Sequence, residues 1–183
     1  MTKIIGISGS LRSQSYNTAL LRAAAALMPD GASLEIATLK GIPLYDGDVE
    51  QAEGIPPAVA ALKEQIAAAD GVLLATPEYN NSMPGVFKNA IDWMSRPSAD
   101  IPRVFGGRPV AIMGASLGGF GTILSQNAWL PVLRTLGMQP WFGGRLLVSH
   151  AGSVFNEAGE LADEKMRAQL QQFVHKFVEF AKA

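Results

Sequence analysis

No cysteine occurs anywhere in the 183 residues. Disulfides, thiolate nucleophiles and cysteine-held iron–sulfur clusters are therefore excluded as sources of stability or chemistry. Histidine is almost as scarce. His150 and His175 stand far apart and are too few for a zinc site, so no metal centre is expected. Charge of one sign is lacking too: 15 Lys and Arg oppose 16 Asp and Glu, for a formal net charge of −1. A nucleic-acid binder driven by phosphate neutralisation needs a basic face, which this balance does not supply. No apolar run approaches the roughly 20 residues that span a bilayer. Met1-Thr2-Lys3 leads straight into a strand-like run, without signal-peptide anatomy. These absences lead to the expectation of a cytoplasmic protein that meets small molecules rather than nucleic acid or membrane.

What is present is a regular alternation. At 48% hydrophobic, the chain reads as a single domain, 1–183, with a substantial core. Short apolar runs predict strands at 3–8, 33–39, 72–76, 110–114 and 138–142. Between them lie helical patterns. The first covers 16–28, and Val59, Leu62, Ile66 and Ala69 mark a second. Phe87, Ala90, Ile91 and Met94 mark a third, and the next runs to Leu136 with Pro131 as a candidate bend. Met166, Leu170, Phe173, Phe177 and Phe180 make the last, while 40–57 and 143–161 read as irregular connections. Because parallel crossovers are right-handed and need a helix, this order predicts an α/β, doubly wound sandwich. Five strands favour a flavodoxin-like parallel sheet of order 2-1-3-4-5, with helices on both faces, over the Rossmann order. The switch point then lies between strands 1 and 3, so the loops that follow them should form a ligand crevice.

The first of these loops, Ser8-Gly9-Ser10-Leu11-Arg12-Ser13-Gln14-Ser15-Tyr16-Asn17, joins a strand to a helix and contains no carboxylate. Hydroxyls, one guanidinium and the amides of a helix N-terminus are what a phosphate dianion needs. Neither Gly-x-Gly-x-x-Gly nor a Gly-Lys-Ser/Thr triplet is present, so a dinucleotide or triphosphate cradle is not indicated. A single terminal phosphate fits better. The competing account makes Ser13 or Ser15 a plain N-cap. The second loop, Thr76 to Gly85, has prolines at Pro77 and Pro84 that restrict the backbone around Glu78, Tyr79 and Asn80. Fixed amides and carbonyls there would suit the polar edge of a flat heterocycle, although an ordinary strand-to-helix turn has the same composition. The third, Ser116-Leu117-Gly118-Gly119-Phe120-Gly121, follows strand 4, and its glycines allow close approach of a ligand to the backbone. A flexible surface turn is the alternative.

Gly9-Ser10-Leu11-Arg12-x-x-Ser15-x-Asn17, Thr76-Pro77-Glu78-Tyr79-Asn80 and Lys88-Asn89-Ala90-Ile91-Asp92-Trp93 together resemble the signatures of the NADPH-dependent FMN reductase family, in particular its bacterial quinone and chromate reductases. The likeness covers nearly the whole chain. It implies an FMN-binding enzyme that passes hydride from NAD(P)H to quinones or similar acceptors, among them chromate, flavins, azo and nitro compounds. It also implies a homodimer or homotetramer. Carried over by motif, Ser10, Arg12, Ser15 and Asn17 would hold the phosphate, helped by the amides of Leu11 and Tyr16. Pro77, Glu78, Tyr79 and Asn80 would meet the isoalloxazine ring, with Ser116, Leu117, Gly118 and Gly119 approaching it from the other side. Lys88, Asn89 and Asp92 would lend structural support. Hydride exchange through flavin needs stacking and exclusion of water, so no catalytic side chain is assigned. Two readings compete. One is a flavodoxin-type electron carrier without its own small substrate, for which this chain is insufficiently acidic. The other is a non-enzymatic flavin-responsive protein using Trp93, Phe105, Trp129, Trp141 and Phe142 as a partner surface.

Overall fold

All residues of Thr2–Ser8 except Lys3 are buried, so this strand, β1, has no solvent face. In the computed structural model, which describes residues 1–182, it lies between two parallel neighbours. On one side is β2 (Ala32–Ala37), reached through α1 (Tyr16–Ala26). On the other is β3 (Gly71–Ala75), reached through α2 (Gly47–Glu53) and α3 (Pro57–Ala67). After α4 (Gly85–Met94), a short 3-10 turn and α5 (Ile101–Val104), β4 (Pro109–Ala115) pairs with β3. The chain continues through α6 (Ile123–Thr135), β5 (Gln139–Pro140), β6 (Leu146–Val148), α7 (Ala151–Val154) and α8 (Glu164–Lys182). The sheet order is β2-β1-β3-β4-β5, with β6 also on β4, as the flavodoxin-like reading requires.

Period-two alternation divides the core into two layers. Ile5, Ile7, Val72, Leu74 and Val110 face one way, into a layer built from α3, α4 and α6. Ile4, Leu73, Ala75, Ala111 and Met113 face the other way, onto α1 and α8. The apolar stripes seen in the sequence are the contact surfaces. Val59, Leu62 and Ile66 of α3 are buried, as are Phe87, Ala90, Ile91 and Met94 of α4 and Leu170, Phe173 and Phe177 of α8. Trp93, Phe105 and Trp129 are core residues, and Phe142 is exposed.

The structure alters the sequence reading at the last strand and in the long connection. The expected strand at 138–142 is cut to Gln139–Pro140, and the same edge of β4 is taken up again by Leu146–Val148, inside the stretch read as irregular. Gln139 and Trp141 on either side of Pro140 donate to the Arg108 and Val110 carbonyls at 2.9 and 2.8 Å, after which the chain turns away and the Trp141 ring packs 5.1 Å from that of Phe173. The long connection contains α2, which buries none of its residues and so carries no apolar stripe to announce it. Its start is signalled only by Asp46, whose side chain accepts from the Asp48 N–H. Pro131 lies within α6, which runs to Thr135, close to the expected end at Leu136.

Candidate functional site

The C-terminal ends of β1, β3 and β4 lie side by side, with Ser8 opposite Ala75 and Ala75 opposite Met113. The loops leaving them converge on a cleft of ≈ 290 Å³. Ser10, Arg12, Ser15, Tyr16 and Asn17 line it from the first loop, and Pro77, Glu78 and Tyr79 from the second. Ser116, Leu117 and Gly118 line it from the third. Leu11, Asn80 and Gly119 belong to the same loops but stand off the wall. Ala115, which the sequence reading omitted, is part of the wall.

Local geometry explains each loop. Gly9 donates its amide to the Ala75 carbonyl at 2.9 Å, drawing the first loop against the second. A Cβ at position 9 would overlap Phe87 Cδ1 and sit 2.9 Å from Pro77 Cδ, so only glycine permits that approach. Ser15 then caps α1, accepting from the Thr18 N–H at 3.3 Å. Capping and ligand binding are compatible here, because the serine hydroxyl keeps its own proton to donate. Ser10 is in the same state: its oxygen accepts from the Arg12 N–H at 3.3 Å and its O–H remains available. Among the described residues, the amides of Leu11, Tyr16 and Asn17 donate to no protein acceptor. The first loop thus gathers open N–H and O–H donors beside the Arg12 side chain at a helix N-terminus.

The second loop is rigid for a different reason. Tyr79 and Ser82 exchange both backbone hydrogen bonds at 3.0 Å, around Asn80 and Asn81 at φ 50° and 60°. Two consecutive left-handed residues make a tight turn, and asparagine tolerates that conformation better than other side chains. Behind the turn, buried Thr76 donates to the Pro77 carbonyl at 3.0 Å and lies 2.8 Å from Ser125 Oγ. It also accepts from the Trp129 indole at 3.1 Å.

Two polar side chains of the wall turn away from the open space. Asn17, 4% exposed, spends both ends on the backbone of Ala115: Nδ2 donates to its carbonyl at 3.0 Å and Oδ1 accepts from its amide at 2.9 Å. Glu78 Oε2 accepts from the amides of Leu124 and Ser125 at 2.8 and 3.1 Å, capping α6. The third loop is held from outside by the segment that follows β6. Ser116 donates to the Val148 carbonyl, while His150 and Ala151 donate to the carbonyls of Gly118 and Ser116. No local motif marks that segment, since its role comes from where β6 ends.

A cleft of open donors at one end, a stiff backbone turn at one side and exposed Tyr79 and Leu117 at its mouth is suited to a flat ring carrying one phosphate. Comparison with known proteins agrees. Residues 2–153 match the family model described as NADPH-dependent FMN reductase. An NAD(P)H-dependent FMN reductase of Pseudomonas aeruginosa is 51% identical over 170 residues, which cover 93% of this chain and 90% of that protein. A 2-hydroxy-1,4-benzoquinone reductase of a Burkholderia species is 40% identical over 175 residues, covering 96% and 93% of the two. Among solved structures, the flavoenzyme NAD(P)H:(acceptor) oxidoreductase of Paracoccus denitrificans superposes with a TM-score of 0.88 at 31% identity, covering 100% of this chain and 98% of that one. By the extent of the family match and the identity and coverage of these relatives, the chain belongs to the NADPH-dependent FMN reductase family.

Proposed function

We propose that this protein is an FMN-dependent NAD(P)H oxidoreductase whose acceptors are quinones and comparable flat, electron-poor molecules. The observation that carries the reading is the donor-rich first loop opening into the same cleft as the Tyr79 turn. The residues fit FMN. Arg12 and the amides of Leu11, Tyr16 and Asn17 hold the phosphate, with the free O–H donors of Ser10 and Ser15. Pro77, Glu78, Tyr79 and Asn80 present their fixed backbone to the edge of the ring, and Ser116 to Gly119 cover its other side. Asn17 and Glu78 contribute through their backbone, since their side chains are engaged elsewhere.

The chemistry supplied at this site by FMN when bound is hydride acceptance from NAD(P)H and electron delivery to an acceptor. The chain's own part is to bind, orient and exclude water. Tyr79 and Leu117, 49% and 64% exposed at the mouth, offer apolar surface on which a flat acceptor can lie, which supports quinones ahead of a small hydrated anion such as chromate. No side chain is assigned a proton-transfer role. The quinone reductases among the relatives support the enzyme reading over an electron carrier.

The same proposal takes 1–183 as one FMN-binding unit, with a cytoplasmic setting supported by the use of NAD(P)H. Among the described residues, no helix is long and apolar enough to cross a membrane. Near-neutral charge supports small-molecule partners over nucleic acid. Exposure of Phe120 and Phe142, 68% and 76%, supports self-association as a homodimer or homotetramer. The test is the visible spectrum of the purified protein. Oxidised-flavin bands that bleach when NADPH is added without oxygen are expected, and a colourless protein that neither takes up FMN nor oxidises NADPH refutes the reading.

A further inference from the structure

We propose that the side chains of Asn17 and Glu78 are positioning residues that clamp the glycine loop, 116–121, at its two ends, so that the ring side of the cleft is set by the other two loops. The inference rests on the FMN reading above, but its content concerns bonds within the chain.

Within itself the glycine loop makes one side-chain hydrogen bond, from the Ser116 hydroxyl to the Gly118 carbonyl at 3.2 Å. Leu117 and Phe120 are 64% and 68% exposed, and a Cβ built at Gly118 would meet nothing within 4 Å. Its outer side is bonded to the backbone at Val148 and His150–Ala151. Its ends are fixed by the neighbouring loops. At the start, Ala115 has both backbone groups bonded to Asn17, a residue of the phosphate loop 98 positions earlier. At the end, Thr122 stands at φ 70°, a conformation that costs a β-branched residue, and its side chain does not cap the helix it precedes. The first amides of α6 are satisfied instead by Glu78, from the loop on the opposite wall. A carboxylate at a helix N-terminus is favoured by both the open amides and the helix dipole.

The Asn17 carbonyl oxygen and one of its two amide N–H groups are spent on Ala115, which leaves the side chain a single N–H. Its backbone N–H, in the first turn of α1, is free. One residue thus touches the phosphate through its main chain and fixes the glycine loop through its side chain. Glu78 does the corresponding work for the ring wall. The clamp predicts that losing either side chain harms recognition of the ring, whether or not a phosphate is attached.

Riboflavin, which shares the ring and lacks the phosphate, separates the two effects. FMN and riboflavin are titrated by fluorescence quenching into full-length protein freed of flavin, as the parent and as Arg12→Ala, Asn17→Ala, Asn17→Ser, Glu78→Ala and Glu78→Gln, each checked for folding by thermal unfolding. Arg12→Ala should weaken FMN by about tenfold or more and leave riboflavin unchanged. Asn17→Ala and Glu78→Ala should weaken both ligands by about tenfold and alter the visible spectrum of the bound flavin. Glu78→Gln, which keeps an acceptor oxygen, should recover most of its loss, whereas Asn17→Ser, whose hydroxyl is one bond shorter and falls short of Ala115, should weaken both ligands as the alanine variant does. Unchanged riboflavin affinity in Asn17→Ala, or in Asn17→Ser should the alanine variant not fold, overturns the clamp at its first end. Unchanged riboflavin affinity in Glu78→Ala, or no rescue by Glu78→Gln, overturns it at the second. A parent that binds riboflavin as tightly as FMN sinks the phosphate assignment and leaves the clamp to be judged on riboflavin alone.

Discussion

Gly9 shows how closely the first two loops depend on a single residue. Its missing side chain lets the loop after β1 lie against Pro77 and Phe87. Gly9→Ala must move a ring in the core or open the cleft, and overpacking of that kind costs about 1–3 kcal/mol. A lowered denaturant midpoint together with weakened FMN binding is expected; an unshifted midpoint would show that Phe87 yields without cost. Residue identity was the most legible part of the site. Type and place after a strand single out Ser10, Arg12, Ser15 and the Tyr79 turn, and the fold brings them to one cleft. The orientation of Asn17 and Glu78 was not legible. A carboxamide in a polar loop reads as a ligand donor from sequence, and nothing in local spacing reveals a backbone partner at Ala115 or Leu124. Such partners exist only once the sheet has brought distant loops together.

The elements found from sequence are those that bury an apolar face. The missed ones are α2, β6 and the single turns α5 and α7, which are too short or too polar to show an apolar stripe. Ion pairs and hydrogen bonds fix the first of these and its surroundings. Glu50 of α2 accepts from Arg96 Nε at 2.9 Å and from the Tyr45 hydroxyl at 2.9 Å. Nearby, buried Lys63 of α3 reaches Asp100 at 2.6 Å and the Arg96 carbonyl, and Arg103 of α5 grips Glu64 of α3 through both carboxylate oxygens. The Lys63 hydrogen bond holds the Asp100 carboxyl below the usual carboxylate range, as Arg96 does for Glu50 and Arg103 for Glu64. A depressed folded-state pKa contributes stability that is complete above the unfolded value and is lost as pH falls through the folded one. Urea midpoints should therefore hold steady above about pH 5 and fall steadily below it. Lys63→Met should remove Asp100's share of that slope. An identical acid slope in the variant would mean that the pair does not govern it.

At the scale of the whole molecule, one cleft on one sheet edge must serve both donor and acceptor. The three loops enclose ≈ 290 Å³, with Tyr79 and Leu117 exposed on the lining. NAD(P)H and a quinone then occupy it in turn, which predicts parallel initial-rate lines when both are varied; intersecting lines would require a complex holding both at once. The sheet order was legible as a whole because alternating strand and helix admit few topologies. The broken last strand was not, because its edge is set by how Trp141 packs beneath α8.

The bridge from Asn17 to Ala115 has a consequence for the history of each molecule. The first loop is among the earliest parts of the chain to be made, and Ala75 is the next group to hold it, but its bridge to Ala115 waits for residue 115 and the α6 amides come later still. During synthesis from the N-terminus, an unfinished polypeptide carries the loop without its braces. Flavin capture is then expected only of chains near completion, and a ribosome-held chain stopped before residue 115 should take up no FMN.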